Sequence, residues 1–411
     1  MATQKNKKTT IEVKPEIETF AKIKVVGVGG GGGSAINRMV SGNLRGIDFV
    51  AINTDAQALH QNLSKHKLHI GRTVTRGLGA GMNPELGMES AEETSSEIRE
   101  VLKGADLVFI TCGLGGGTGT GASPVVAEIA RDLGCLTVAV VTRPFAFEGV
   151  QRRTIADKGF AELSSKVDTI ISIPNDRILQ IIDKKTSLLD AFTTVDDVLR
   201  QGVQGISELI TQPGLINVDF ADVKAVMKDS GSALMGMGVA SGENRAVEAA
   251  KAAIDSPLLE LSIDGAKGVL FTISGPLDLS MNEINEAARI ITASVDSGAK
   301  IIFGATVSDD IKDEVSITVI ATGFGEESKK RDSKFDGLNA FSVSVPIKSS
   351  PAYMPQVNKE SIHEEGFANN SKANINKKKA KIIIRNKENG NEVDEDGDEL
   401  QIPAFIRRKM G

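Results

Sequence analysis

The sequence predicts an α/β fold: a doubly wound parallel-sheet domain, a long central helix, a smaller α/β domain and then a disordered tail. Three observations predict it. From residue 21 to about 142, apolar strand-like runs alternate with helical stretches, and runs such as VVGV, LVFI and VAVV are apolar on both faces, as a parallel sheet covered by helices on both sides requires. A long segment with apolar residues at helical spacing then interrupts the alternation. Beyond Gly325 the chain turns to Ser, Asn, Lys and Glu with scattered Pro and little periodicity, the signature of disorder.

KIKVVGV (22–28) reads as the first strand; a glycine run follows, and SAINRMVSGNL (34–44) has helical spacing. FVAINTD (49–55) is a strand, 90–103 a polar helix, DLVFITC (106–112) a strand, 119–133 a helix, and LTVAVVT (136–142) and TIISIP (169–174) two more strands. Right-handed crossovers make such a series doubly wound, with ligands bound outside the carboxyl ends of the strands, where the glycine runs fall. In 187–211, Leu188, Leu189, Phe192, Val195, Val198, Leu199, Val203, Ile206, Leu209 and Ile210 recur at helical spacing, and Pro213 with Gly214 is a stop signal. The second unit combines helical stretches at 221–229, 243–255 and 280–294 with strands at 233–240, 267–274, 299–307 and 314–324, expected to form one sheet. The expected division is a disordered extension 1–20, a first domain 21–186, the central helix 187–212, a second unit 213–325, a disordered linker 326–393 and a terminal peptide 394–411.

Composition excludes several classes. Lys+Arg 48 against Asp+Glu 54 gives a net charge of −6, which argues against a nucleic-acid coat. Two cysteines, Cys112 and Cys135, exclude a disulfide framework and fit a reducing compartment. His60, His66, His69 and His363 lack zinc-like spacing, and there is no HExxH. No apolar run approaches the ~20 residues of a membrane span and MATQKNKKTT has no signal-peptide core, so a cytoplasmic protein is expected.

Two glycine-rich loops carry the chemistry: GVGGGGGSA (27–35) and CGLGGGTGTGASP (112–124), each following an apolar strand and opening a helix. Glycines let the backbone approach a phosphate closely, and the helix N-terminus aims unsatisfied N–H groups and a positive dipole at it. The first loop alone satisfies GxGxxG through Gly27, Gly29 and Gly32, with Asp55 about 20 residues on, so an NAD-dependent oxidoreductase is one reading. The second cradle, Gly115–Gly121 with Thr118 and Thr120, is unexplained by a dinucleotide and suits a nucleoside triphosphate. No GxxxxGK[ST] occurs, which excludes a P-loop enzyme.

GGGTGTG at 115–121 resembles the signature of the tubulin and FtsZ superfamily, and NTDAQAL (53–59), GLGAGMNPELG (77–87), TRPFAFEG (142–149), IPND (173–176), PGLINVDFADV (213–223) and IPAFIRRK (402–409) resemble its bacterial cell-division branch. The resemblance runs through 22–325 almost continuously and resumes at the terminal peptide. It implies GTP binding and hydrolysis and head-to-tail filaments that form the division ring at midcell. A tubulin-like filament GTPase of plasmid segregation or cell shape is the alternative. Carried over by motif, Gly30, Gly31, Gly32, Gly33 and Ser34 would line the phosphates and ribose, with Ser34 where the family usually has Asn. Gly117, Thr118 and Gly119 would hold the terminal phosphates, and Glu148 and Arg152, four apart on one helical face, the ribose and phosphate edge. Without the resemblance, that pair reads as a surface ion pair. Asn175 and Asp197 would recognise guanine and Phe192 would pack on its ring. A carboxylate accepts from both N1–H and the 2-amino group of guanine, donors that adenine does not offer together.

In NVDFAD (217–222), Asp219 reads locally as a helix N-cap and Asp222 as an acid in the first turn. The resemblance implies instead that Asn217, Asp219 and Asp222 enter the nucleotide pocket of the next subunit and orient the attacking water. Mg²⁺ bound through the nucleotide, with K⁺ as a further cation, is implied by the charge of the triphosphate. IPAFIRRK places Ile402, Phe405 and Ile406 on one helical face beside Arg407, Arg408 and Lys409, which suits helix-in-groove docking. By resemblance, residues 400–409 bind membrane anchors and regulators of division, and a flexible linker of ~65 residues would span ~45 Å to reach them.

Overall fold

The computed structural model describes residues 21–324 except 181, 183, 184, 212, 213, 217, 260, 309 and 310. The expected extension 1–20, the linker and the terminal peptide lie outside the described residues, as does Asn217.

The first strands and helices alternate: β1 (Ile23–Val28), α1 (Gly29–Ser41), β2 (Ile47–Asn53), α2 (Ala56–Gln61), β3 (His66–His69), α3 (Pro84–Glu93), α4 (Ser95–Leu102), β4 (Leu107–Gly113), α5 (Gly117–Asp132), β5 (Leu136–Arg143), α6 (Val150–Lys166) and β6 (Thr169–Pro174). These strands pair in parallel in the order β3-β2-β1-β4-β5-β6. Successive side chains of a strand point to opposite faces, so Val25, Phe109, Val138 and Val140 enter one core while Val26, Val28, Ile110 and Val141 enter the other. That double burial is why the strands read as unbroken apolar runs. α1 fills the first core with Ala35, Ile36 and Met39; α3 to α6 cover the opposite face.

α7 (Asn175–Ile178) and α8 (Leu188–Thr211) follow, and α8 realises the central helix, burying Val195, Val198, Leu199, Val203, Ile206 and Leu209 in the first core. Then come α9 (Phe220–Met227), β7 (Gly231–Ser241), α10 (Arg245–Ile254), β8 (Gly268–Gly275), α11 (Met281–Ala293), β9 (Lys300–Val307) and β10 (Glu314–Thr322). β10 lies antiparallel between β7 and β8, β9 is parallel to β8, and their own core includes Ala249, Phe271, Ile273, Ile291, Val315 and Ile317. Arg245, 8% exposed, is tolerated beside that core because Asp278 (2.9 Å) and Glu283 (2.8 Å) pair with it. No helix among the described residues is long and apolar enough to cross a membrane.

Four features differ from the sequence reading. The polar helix expected at 90–103 is two helices meeting at Thr94, whose hydroxyl donates to the Ser90 carbonyl at 3.0 Å. The first glycine run is not a loop before the helix but its first turns. β3 and α6 carried no legible period. Finally, the second sheet is not separate: Gly231–Ala233 of β7 pair in parallel with Thr169–Ile171 of β6, while Leu234–Ser241 pair with β10, so ten strands form one continuous ladder. β7 has 11 residues, long enough to serve both halves.

Candidate nucleotide site

Two helix N-termini meet at the carboxyl ends of β1 and β4. Among the described helices, α1, α5 and α6 have neither a side-chain cap nor an acid in the first turn. Asp55, Asn83, Asp219 and Ser280 cap α2, α3, α9 and α11. The uncapped N–H groups and positive dipole ends suit an anion. Glycine permits the convergence: Gly29 takes φ +73°, and a Cβ there would stand 2.8 Å from the Gly119 nitrogen. Gly29, Gly30, Gly33 and Ser34 line a cavity of about 170 Å³ with Asn37 and Asn62. Gly30, Gly31 and Ser34 are exposed, whereas Gly32 is buried on the Thr111 carbonyl and Gly33 accepts from Asn62 Nδ2 at 2.8 Å.

On α5, Gly117 packs under Ala80 and Asn83, Gly119 faces Gly29, and the Thr118 hydroxyl lies 2.7 Å from that of Thr54. Arg152, in the first turn of α6, donates to the Gly115 carbonyl at 3.4 Å and pairs with Glu148, whose other oxygen accepts from the Phe145 N–H at 2.9 Å. The pair is formed, but not on one helical face. Glu148 closes a separate 3₁₀ turn (Ala146–Glu148), and Gly149 at φ +98° breaks the chain direction before α6.

The remaining predicted residues mark a second region. Asn175 opens α7 directly after β6; it is 5% exposed, and its Oδ1 is buried with no hydrogen-bond partner among the described residues. A buried acceptor without a partner is costly, and a ligand N–H would satisfy it. That orphan and the uncapped helix ends fit a nucleotide whose base carries an N–H donor. Phe192 is 39% exposed although Val195, Val198, Leu199, Val203, Ile206 and Leu209 of its α8 stripe are buried; its ring meets Phe145 edge-on at 5.5 Å.

Asp197 accepts from Arg200 Nε at 2.8 Å and Arg38 Nε at 3.4 Å. Burial raises its pKa, but the two guanidinium groups outweigh burial and hold the carboxyl below its usual range. Asp196, which the sequence reading passed over, has no hydrogen bond or ion pair among the described residues and lies one turn from Phe192. Burial pushes it up to about 6, against the Arg38 charge and with a further push from Asp197.

The acids of the 217–222 segment stand elsewhere. Asp219 caps α9, accepting from the Asp222 N–H at 2.8 Å, and both residues are exposed, so the local cap reading holds for their backbone. α8 has 24 residues, about 36 Å at 1.5 Å per residue. Its last residue, Thr211, packs on Gly46 before β2, and the Met227 carbonyl of α9 accepts from Thr169 at the start of β6. Both contacts lie at the amino ends of strands that run parallel to β1 and β4, whose carboxyl ends hold the cradles.

Converging uncapped helix ends at the carboxyl edge of a parallel sheet define a nucleotide-binding domain. Residues 22–183 match the Tubulin/FtsZ family GTPase domain, and 231–325 match the C-terminal domain of the FtsZ family. The chain is 47% identical to an FtsZ of M. jannaschii solved as an empty dimer, with a TM-score of 0.72, over 75% of this chain and 90% of that one. At 21% identity it shares the fold of the GTPγS-bound CetZ2 protofilament of Haloferax volcanii (TM-score 0.64; 77% of this chain, 99% of that one). GDP-bound CetZ1 from that organism gives 21% identity and a TM-score of 0.65, over 76% of this chain and 97% of that one. The chain belongs to the tubulin/FtsZ family, as a cytoskeletal GTPase.

Proposed function

We propose that this GTPase polymerises head to tail, that each bound GTP is hydrolysed only when the next subunit inserts its 217–222 loop, and that the filaments build the cytoplasmic ring of dividing cells. One observation carries the reading: the chain keeps its phosphate cradles and its candidate catalytic acids, Asp219 and Asp222, at opposite ends of the sheet. An open filament follows when a head-to-tail contact does not close on itself, and it brings the two ends together at every joint. The empty-dimer description of the 47%-identical FtsZ and the protofilament description of CetZ2 support self-association of a fold like this one.

In this reading Gly30, Gly31, Ser34, Gly117, Thr118 and Gly119 hold the phosphates through backbone N–H groups and hydroxyls, and Arg152, steadied by Glu148, adds positive charge. Asn175 takes a guanine N–H, Phe192 packs on the ring, and Asp197, oriented by Arg38 and Arg200, serves as the guanine-reading carboxylate. Asn217, Asp219 and Asp222 orient water in the partner's pocket. Mg²⁺, held by the phosphates and aided by K⁺, would offset the repulsion between those acids and the triphosphate. Residues 400–409 dock membrane anchors and division regulators.

Light scattering with phosphate release in parallel tests the reading. GTP, but not GDP or ATP, should produce polymer, and phosphate release per subunit should rise sharply above a threshold protein concentration. A flat specific activity across concentration would remove the requirement for a neighbour.

Asp197 adds a test of its own. Arg38 and Arg200 hold its carboxyl below the usual range, so affinity for GDP should stay level through mildly acidic pH. Asp197→Asn should lose affinity, in titrations with a fluorescent GDP analogue. Unaltered binding would return the role to another acceptor.

A further inference from the structure

Thr54 has no role in the site as described, yet it is fully buried between β2 and α2 with its hydroxyl 2.7 Å from that of Thr118. We propose that Thr54 is a positioning residue that aims the Thr118 hydroxyl at the third phosphate and so separates GTP from GDP; the inference rests on Thr118 facing the terminal phosphates.

A threonine hydroxyl has one proton to give and lone pairs to receive with. Either partner of this pair can donate. When a phosphate oxygen lies before it, Thr118 donates outward in a charge-assisted bond, and Thr54 donates into the lone pair of Thr118 behind it; each bond polarises the next. Without the third phosphate, the Thr118 hydroxyl can donate to that of Thr54 instead. Thr54 is 0% and Thr118 8% exposed, so water has little opportunity to replace either partner.

Thr54 is also held from behind. Its carbonyl accepts from His69 Nε2 at 3.3 Å and from the Thr75 hydroxyl at 3.4 Å. The next residue, Asp55, is fixed by accepting from the Gln57 and Ala58 N–H groups at 2.9 and 3.0 Å. A β-branched side chain on so fixed a backbone has few rotamers to choose from. Thr75 belongs to the same 71–83 segment whose Ala80 and Asn83 cover Gly117, so Thr54 joins the hydroxyl at the phosphate to the cover above it.

The test is competition of GTP and GDP against a fluorescent guanine nucleotide, on the full chain below its assembly threshold. Thr54→Val keeps the shape and removes the hydroxyl. It should lower the GTP:GDP affinity ratio about three- to tenfold, the worth of one hydrogen bond, with GDP affinity and melting temperature kept as the fold controls. Thr54→Ala should lower the ratio likewise, and Thr54→Ser should restore it. Thr118→Val should also lower the ratio, and adding Thr54→Val to it should change nothing further, since both act through one bond. A normal ratio in Thr54→Val beside a lowered one in Thr118→Val overturns the positioning role alone. A normal ratio in Thr118→Val removes Thr118 from the terminal phosphate, and this proposal with it. A further drop in the double variant also overturns it, because Thr54 would then act by another route.

Discussion

Asp222→Ala should bind GTP and assemble as the unaltered protein does, yet release phosphate about 10²- to 10³-fold more slowly, the range for one positioned group in proton or water management. The structure makes this substitution the cleaner of the two available. Asp222 contributes its backbone N–H to the Asp219 cap, and alanine keeps that N–H. The carboxylate itself is exposed, and as an acid in the first turn of α9 its loss costs about 0.3–1 kcal/mol of helix stability. Asp219→Ala, in contrast, removes the cap and costs about 1 kcal/mol, so its kinetic effect would be mixed with loosening of the loop. Polymer mass and phosphate release measured on the same Asp222→Ala sample decide the matter. Normal turnover per polymerised subunit would mean that the acid at the far end of the sheet takes no part in hydrolysis. Loss of polymer together with turnover would mean that it serves the contact rather than the reaction.

The parts of the fold that sequence reasoning reached share a physical cause. β1, β4 and β5 are buried on both faces, which leaves unbroken apolar runs, and α8 buries one stripe, which leaves a 3.6-residue period. α6 leaves neither, because its buried residues are Ala156, Gly159 and Leu163, two of them too small to register as hydrophobic periodicity. β3 is His-Lys-Leu-His, with only Leu68 buried, and takes its extended form from pairing with β2 rather than from its own preference. The joint between β6 and β7 rests on a three-residue pairing whose members lie some sixty positions apart, and no local pattern encodes it.

The candidate site divides in the same way. Backbone cradles need glycine, so both were legible as composition. The different surroundings of Asp196 and Asp197 were not, since two adjacent acids look alike until Arg38, 159 positions away, settles beside one of them. Glu148 and Arg152 were read as a pair from their spacing, and they do pair. The spacing could not reveal that Gly149 interrupts the helix between them, which lets the Glu148 carboxylate hold both Arg152 and the Phe145 N–H.

The glycines of α5 also do something that their proximity to phosphate obscures. Gly117 and Gly121 lie one turn apart and receive α3 against bare backbone: a Cβ on Gly121 would stand 1.8 Å from the Pro84 carbonyl oxygen and 2.8 Å from the Met88 nitrogen. From the other side, a Cβ on Gly87 would come within 2.5 Å of the Gly117 carbonyl oxygen. These atoms are main chain, so no rotamer change relieves the overlap, and a methyl at Gly121 must push the two helices apart. Gly121→Ala should therefore destabilise the protein by about 3 kcal/mol, at the upper end for overpacking, even though alanine in a helix interior is otherwise favoured over glycine by about 1 kcal/mol. Denaturant unfolding of the nucleotide-free protein gives the number. Because the 71–83 segment leads into α3 and covers Gly117, GTP affinity should fall with stability, whereas the second α/β unit, whose core includes no α3 residue, should keep its protection in amide exchange. A loss under about 1 kcal/mol would show that α3 can retreat without strain, and the glycines of this helix would then be explained by the phosphate alone.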